Sequence, residues 1–207
     1  MMGNIMKMDF TVMKRYLYFI AFYAVFFPLC FQNSGYIGAI TVLCVYIFVI
    51  GGVSVEERDK IHMLHKSLPV TARQIVGAKY LESLLVWVYA VTINTVVYFV
   101  LNRVVPAFQF ESISLEMILG SLTMLLVFVG VSMPLVYKFG YMKARIFLIL
   151  LWVAGSMLYP VFAVFSGNTG VVTELVYMPY VVTLAAAAVF YIISWLICVR
   201  IYENKSF

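Results

Sequence analysis

Charge is scarce in this chain. Of its 207 residues only 11% are Asp, Glu, Lys or Arg, against about 25% in a water-soluble domain. So small a polar complement cannot cover a soluble globule, and the surplus apolar surface has to face lipid. Cysteine is rare and odd in number. Cys30, Cys44 and Cys198 lie within or at the edges of apolar runs, which makes no disulfide framework and reads as small apolar filling. Histidine occurs twice, as His62 and His65. Two imidazoles leave a zinc site short of ligands, and the neighbouring Glu56, Glu57 and Asp59 read as a solvated, charged loop. No glycine is followed by lysine, so the chain has no Walker A loop and cannot hydrolyse ATP through one. The patterns Gly-x-Ser-x-Gly and His-Glu-x-x-His are missing as well, which removes two common routes to an enzyme. The adjacent glutamates at 56 and 57 would need an arginine at position 61 to complete an intramembrane glutamate-protease motif, and Ile61 stands there.

What is present is apolar. Hydrophobic residues make up 65% of the chain and the mean hydropathy is +1.03. Six apolar runs cover Tyr16–Phe31, Tyr36–Val55, Ser83–Leu101, Met117–Tyr137, Ile146–Phe165 and Leu175–Val199. Most approach the ~20 residues a helix needs to cross the hydrocarbon core, and none has a charge near its centre. Short alternating strands of the barrel type are absent, and helices satisfy their own backbone groups in lipid. The expected fold is therefore all-α and integral to the membrane: a single transmembrane domain over residues 1–207 with six spans. After the first run, Phe31-Gln32-Asn33-Ser34-Gly35 offers a poor small-residue cleavage site, so that run is expected to stay as a span.

The net charge of +5 is not a nucleic-acid patch, because the cations are dispersed between the runs. Lys7, Lys14 and Arg15 precede the first run. Arg58, Lys60, Lys66, Arg73 and Lys79 follow the second; Lys138, Lys143 and Arg145 follow the fourth; Arg200 and Lys205 follow the sixth. On the opposite side of a six-span plan only Arg103 remains of the fourteen basic residues. The positive-inside rule then makes the cation-rich side cytoplasmic, with both termini there, in a multi-pass protein of the cell membrane.

The segment 54–81 carries most of the water-facing sequence. Glu56 and Lys60 pair at i,i+4, and Ile61, Leu64 and Leu68 form an apolar stripe at helical spacing. Pro69 ends that helix, Thr71 with Gln74 makes a capping box, and Val70 with Ile75 makes its staple. The next helix is expected to run through Lys79 into the third span. Residues 1–15 are amphipathic, with Asn4, Lys7, Thr11 and Lys14 on one face and Ile5, Met8, Val12 and Tyr16 on the other, as in a helix lying in the membrane interface. Asp9 falls inside the apolar arc, either at the water boundary or paired with a loop cation. Among the residues inside the runs, Thr92, Asn94, Thr95, Ser156, Pro160 and Thr183 are the ones that could mark a pathway. Such residues either glue helices together or line a path; Asn94, Thr95 and Ser156 are the candidates for a path.

The stretch Glu56-Glu57-Arg58-Asp59-Lys60, followed by Ser67-Leu68-Pro69-Val70-Thr71-Ala72-Arg73-Gln74-Ile75-Val76 and Ala78-Lys79-Tyr80-Leu81, resembles the loop of ABC-2 type exporter permeases that leads into their third helix. Lys7-Met8-Asp9-Phe10 before a basic pair looks like that family too, and the likeness is strongest to small Gram-positive permeases that export peptides such as phenol-soluble modulins, or bacteriocins or antibiotics. The resemblance implies a dimer of permease chains, expected to be a homodimer, with two separate ABC ATP-binding subunits that carry ATP and Mg, leaving no cofactor on this chain. It also implies that the cytoplasmic loop holds a coupling helix that contacts the ATPase, through Ile61, Leu64, Lys66, Ser67, Leu68, Pro69, Val70, Thr71 and Arg73. The segment between the fifth and sixth runs, 166–174, is short beside the re-entrant region common in the family. The competing expectations are a non-pumping membrane scaffold or immunity protein and, with less in its favour, a membrane-embedded enzyme.

Overall fold

The computed structural model describes residues 11, 14–30, 41, 43–49, 51–53, 71–104, 115–150 and 180–204. Among them the regular structure is entirely helical: α1 (Lys14–Cys30), α2 (described at 43–49 and 51–53), α3 (Ala72–Val104), α4 (Leu115–Phe139), α5 (described at 141–150) and α6 (Tyr180–Asn204). Three of these contain stretches long and apolar enough to cross a membrane: Ala72–Arg103, Met117–Phe139 and Val182–Asn204. Of the interface helix expected over residues 1–15 only Thr11, Lys14 and Arg15 are described, and the coupling helix at Ile61–Leu68 lies outside the described residues.

The helices turn apolar side chains outward and bury several polar ones within the apolar core. Phe22, Leu85, Phe99, Leu150, Val189 and Ile192 all stand exposed, whereas Ser83, Asn94, Ser121, Ser132 and Ser194 are buried. This inversion of a soluble protein follows from the solvent, because lipid tails take leucine as readily as a core does and leave helix contacts to small and polar residues. Inside, Ile20, Val45, Phe48, Val76, Val86, Leu125, Val129 and Met133 belong to one core cluster that joins α1, α2, α3, α4 and α6. α4 packs most extensively on α6. Gly51 allows α2 to approach α1, since a Cβ there would meet the Tyr16 ring at 2.6 Å.

Contacts fix the relative direction of the helices. Gly130 of α4 meets Phe190 and Ser194 of α6, and Tyr137 meets Tyr202 further along, so α4 and α6 run parallel. α3 runs against both, because Tyr80 lies beside Ser194 and Cys198, Ser83 beside Tyr191, and Trp87 beside Ser121. α5 turns back along α4, with Ala144 and Leu148 clustered with Val136. The start of α3, the ends of α4 and α6 and the start of α5 thus share one side. Arg73, Lys79, Lys138, Lys143, Arg145 and Arg200 gather on that side, and Arg103 sits at the far end of α3.

The element bounds refine the sequence reading at two places. α3 begins at Ala72, eleven residues ahead of the apolar run at Ser83, and runs through Lys79 into that run as one continuous rod, as the capping box led us to expect. Its start carries half of the expected capping box: Gln74 Oε1 accepts the Thr71 N–H at 3.3 Å. The expected loop at 137–145 is instead a corner at Gly140. Its φ of 77° is favourable only for glycine, and its N–H bonds the Val136 carbonyl at 2.9 Å, the left-handed cap that ends a helix. Lys143 and Arg145 consequently ride on the first turns of α5.

Candidate functional site: a polar junction beside an apolar cavity

Proline at position 134 lies inside α4. It has no N–H, so the carbonyl of Gly130, four residues back, loses its helical donor. In lipid that orphan has to be satisfied from elsewhere, and Ser194 of α6 does so: its Oγ donates to the Gly130 oxygen at 2.6 Å. Gly130 is what lets α6 come so near, since a Cβ there would stand 2.7 Å from the Phe190 ring. A serine hydroxyl has one proton. With that proton committed, Ser194 Oγ accepts from the Tyr80 hydroxyl at 2.8 Å. The Tyr80 oxygen in turn accepts from the Cys198 thiol, 3.2 Å away.

A second arm of the junction lies one turn along α3. Ser83 Oγ and Tyr191 OH each donate to the Tyr80 carbonyl, both at 2.7 Å, and stand 3.0 Å from one another. Two protons serve these three short oxygen contacts, so the cluster is compact but is not a proton relay. The Tyr80 and Tyr191 rings meet edge to face with centroids 4.9 Å apart. Further along, Trp87 Nε1 donates to Ser121 Oγ at 3.2 Å. α3, α4 and α6 are thus cross-linked by side chains at successive levels. Interhelical bonds of this kind contribute about 0.6 kcal/mol each on average in membranes, with a ceiling near ~1.7 kcal/mol.

At the same level of α3 as Tyr80 and Ser83, Lys79 Nζ and Glu82 Oε2 form an ion pair at 3.5 Å with both side chains buried. Phe48, Val49 and Met133 close over it. Lys79 was expected among the solvated flanking cations. Burial at the meeting of α2, α3 and α4 places it inside instead, and its carboxylate partner three residues on makes that burial tolerable.

On the other side of α4 a cavity of about 520 Å³ opens between α4, α5 and α6. Met124, Val127, Phe128 and Val131 of α4 form its main wall, with Gly120 and Thr123 beyond them, Leu148 from α5 and Thr183 from α6. The Thr123 hydroxyl is turned to its own helix, donating to the Leu119 carbonyl at 2.9 Å. Gly120 widens the cavity, because a Cβ there would meet nothing within 4 Å. A space of this size falls within the range of small-molecule pockets, about 300–1,000 Å³, and its wall recognises apolar surface and little else.

Of the residues singled out from the sequence, Thr71 and Arg73 stand at the start of α3. Ile61, Leu64, Lys66, Ser67, Leu68, Pro69, Val70 and Ser156 lie outside the described residues. Asn94 is fully buried, with Nδ2 donating to the Ala90 carbonyl at 2.9 Å. Thr95 is exposed on the outer side of α3 and bonds the Val91 carbonyl at 2.8 Å. Neither is among the described residues lining the cavity, whereas Thr183, noted only as an intramembrane polar residue, is. Sequence reasoning missed Glu82, Ser194 and the Gly130–Pro134 pair. The signals were a glutamate three residues after Lys79 at the edge of an apolar run, and a proline four residues after a glycine inside one.

A comparison with known protein families matches residues 4–203 to the family described as ABC-2 family transporter protein. The chain belongs to the ABC-2 transporter family. No curated protein and no solved structure matches it. As an ABC-2 family member it is a membrane protein and the permease component of an ABC transporter, not itself the catalytic component, and it works with a partner ATP-binding subunit. In this ABC-2 permease Tyr80, Ser83 and Trp87 tie α3 to α4 and α6, two of the helices that line the cavity.

Proposed function

We propose that the chain is the membrane-spanning subunit of an ATP-driven exporter of an amphipathic or hydrophobic substrate, a peptide or antimicrobial, of the small Gram-positive type. The observation that carries the substrate class is the cavity between α4, α5 and α6, about 520 Å³ with an almost wholly apolar wall. No charged side chain is among its described lining residues, so it favours a cargo that sheds water readily over a sugar or a small ion. In this proposal the cation-rich side is cytoplasmic, both termini lie there, and two permease chains, identical to one another, meet two ATP-binding subunits that bring ATP and Mg.

Coupling is proposed to run through residues 54–81. The segment Ile61–Arg73 docks on the ATPase, with Leu64 and Leu68 as apolar anchors and Lys66 and Arg73 steering toward acidic groups. α3 supports this role by its length. Its 33 residues span about 50 Å at roughly 1.5 Å per residue, some 20 Å more than the ~30 Å hydrocarbon core. A rod of that length carries a push from the cytoplasmic surface to the junction at Tyr80. Asn94 and Thr95 remain in the proposal as path residues reached from the α3 side, with Ser156 from the fifth span.

Cavity filling is the test. Val127→Trp puts an indole into the space and is expected to reduce export of a hydrophobic peptide at least tenfold, while Leu85→Trp on the exposed face of α3 leaves it near wild type. Co-purification with a Walker-type ATPase is measured in the same membranes. Equal export by both variants refutes the substrate site. Absence of any associated ATPase refutes the exporter and favours a non-pumping immunity protein.

A further inference from the structure

A second groove, of about 550 Å³, opens where the ends of α4 and α6 come together. Tyr137 and Lys138 line it from α4, and Ile197, Arg200, Ile201 and Asn204 from α6. The α6 residues fall at i, i+3, i+4 and i+7, one face of a helix. Along that face the chemistry is graded: isoleucine deepest, then arginine beside a second isoleucine, then asparagine at the tip, with Lys138 across the gap. Among the described residues neither Lys138 nor Arg200 takes part in an ion pair, although Glu203 is three residues from Arg200 on the same helix. The Lys138 ammonium instead lies 5.4 Å from the centre of the Phe139 ring. Two cations that pair with no acid among the described residues thus face one groove whose deeper wall is aliphatic.

We propose that this groove binds an anionic phospholipid of the inner leaflet, its phosphate between Lys138 and Arg200 and one acyl chain along Ile197 and Ile201. The gradation from apolar to cationic to polar along a single helix face matches a phospholipid entering from the bilayer. Paired cations at a membrane surface are also the arrangement that selects anionic over zwitterionic headgroups. The assignment to the inner leaflet rests on the proposed cytoplasmic orientation of the cation-rich side; the lipid class does not.

The full-length chain, purified in detergent, is titrated with phosphatidylglycerol and with phosphatidylcholine of the same acyl chains, and retained lipid is counted by native mass spectrometry. One interfacial cation is worth about fivefold in affinity for anionic lipid, so the pair is expected to give a preference of roughly 25-fold. Lys138→Gln with Arg200→Gln should abolish that preference, and Arg103→Gln, at the other end of α3, should leave it intact. Circular dichroism confirms that the double variant is folded, as expected for two exposed side chains. Equal retention of the two lipids by the wild type, or an unchanged preference in the double variant, overturns the proposal; the second result is what cations serving only the negative C-terminal ends of α4 and α6 produce. The assay contains no ATPase and no transport, so it stands or falls apart from the exporter reading. Labelling of Lys138→Cys in intact cells separately reports which leaflet the groove faces.

Discussion

Removing the Ser194 hydroxyl tests whether α6 repairs a defect that Pro134 makes in α4. Ser194→Ala takes away the donor to the Gly130 carbonyl and the acceptor of the Tyr80 hydroxyl, bonds of 2.6 and 2.8 Å. At about 0.6 kcal/mol for an average interhelical bond in a membrane, rising to ~1.7 kcal/mol, the loss of both comes to about 1–2 kcal/mol. The informative comparison is with Pro134→Ala. Alanine at 134 restores an N–H four residues from Gly130, so the carbonyl no longer depends on Ser194. In that background Ser194→Ala should cost about half as much, leaving a coupling of roughly 0.5–1 kcal/mol, a size expected for residues that share a partner. Reversible unfolding of the full chain in mixed micelles, followed by circular dichroism, supplies the four stabilities. Ser132→Ala is a suitable control, because that hydroxyl donates at 3.3 Å to Val129 of its own helix and should change little. If Ser194→Ala costs the same with and without Pro134, the carbonyl is satisfied some other way and the account of the junction is wrong.

The remaining expectations concern other parts of the bundle. Glu82→Ala leaves Lys79 as a buried charge and should destabilise by about 3–5 kcal/mol, whereas Lys79→Met with Glu82→Leu should cost far less; a mild single variant would show the pair to be solvated, by the same unfolding assay. Gly130→Ala should cost about 1–3 kcal/mol by overpacking against Phe190 and be relieved by Phe190→Ala; a lack of rescue would place the clash elsewhere. Asn94 has a buried Oδ1 with no hydrogen-bond partner among the described residues, so Asn94→Leu should be neutral or stabilising by up to ~1 kcal/mol. If export falls while stability holds, Asn94 serves the path; if both are unchanged, it does not. Cysteine-accessibility labelling at Lys143→Cys should succeed only from the cytoplasmic side, and labelling from outside reverses the orientation.

Much of the architecture was legible in the chain because lipid imposes strong rules on sequence. Runs of about 20 apolar residues located the three membrane-length helices to within three residues, except at the start of α3 and in α6, which runs five residues past Val199. The Thr71–Gln74 pair marked that start, since capping is a local interaction between residues three apart. The loop sequence from Glu56 to Leu81 pointed to the ABC-2 family, and the family match bears that out. Tertiary structure alone decided the rest. Small polar residues scattered through apolar runs look alike in sequence: Ser83, Asn94, Thr95 and Ser194 differ only in what faces them after packing. Thr95 turns outward, Asn94 inward, and Ser83 and Ser194 join Tyr80 in one cluster across more than a hundred residues of chain. Lys79 read as a solvated cation until three helices closed over it. Pro134 carried no signal of its own in the sequence, and only packing shows α6 supplying the bond it removes from α4. Hydropathy records which solvent a segment meets, and it located the three membrane-length helices; which side chain meets which depends on the rotation and depth of each helix, and only the packed bundle sets those.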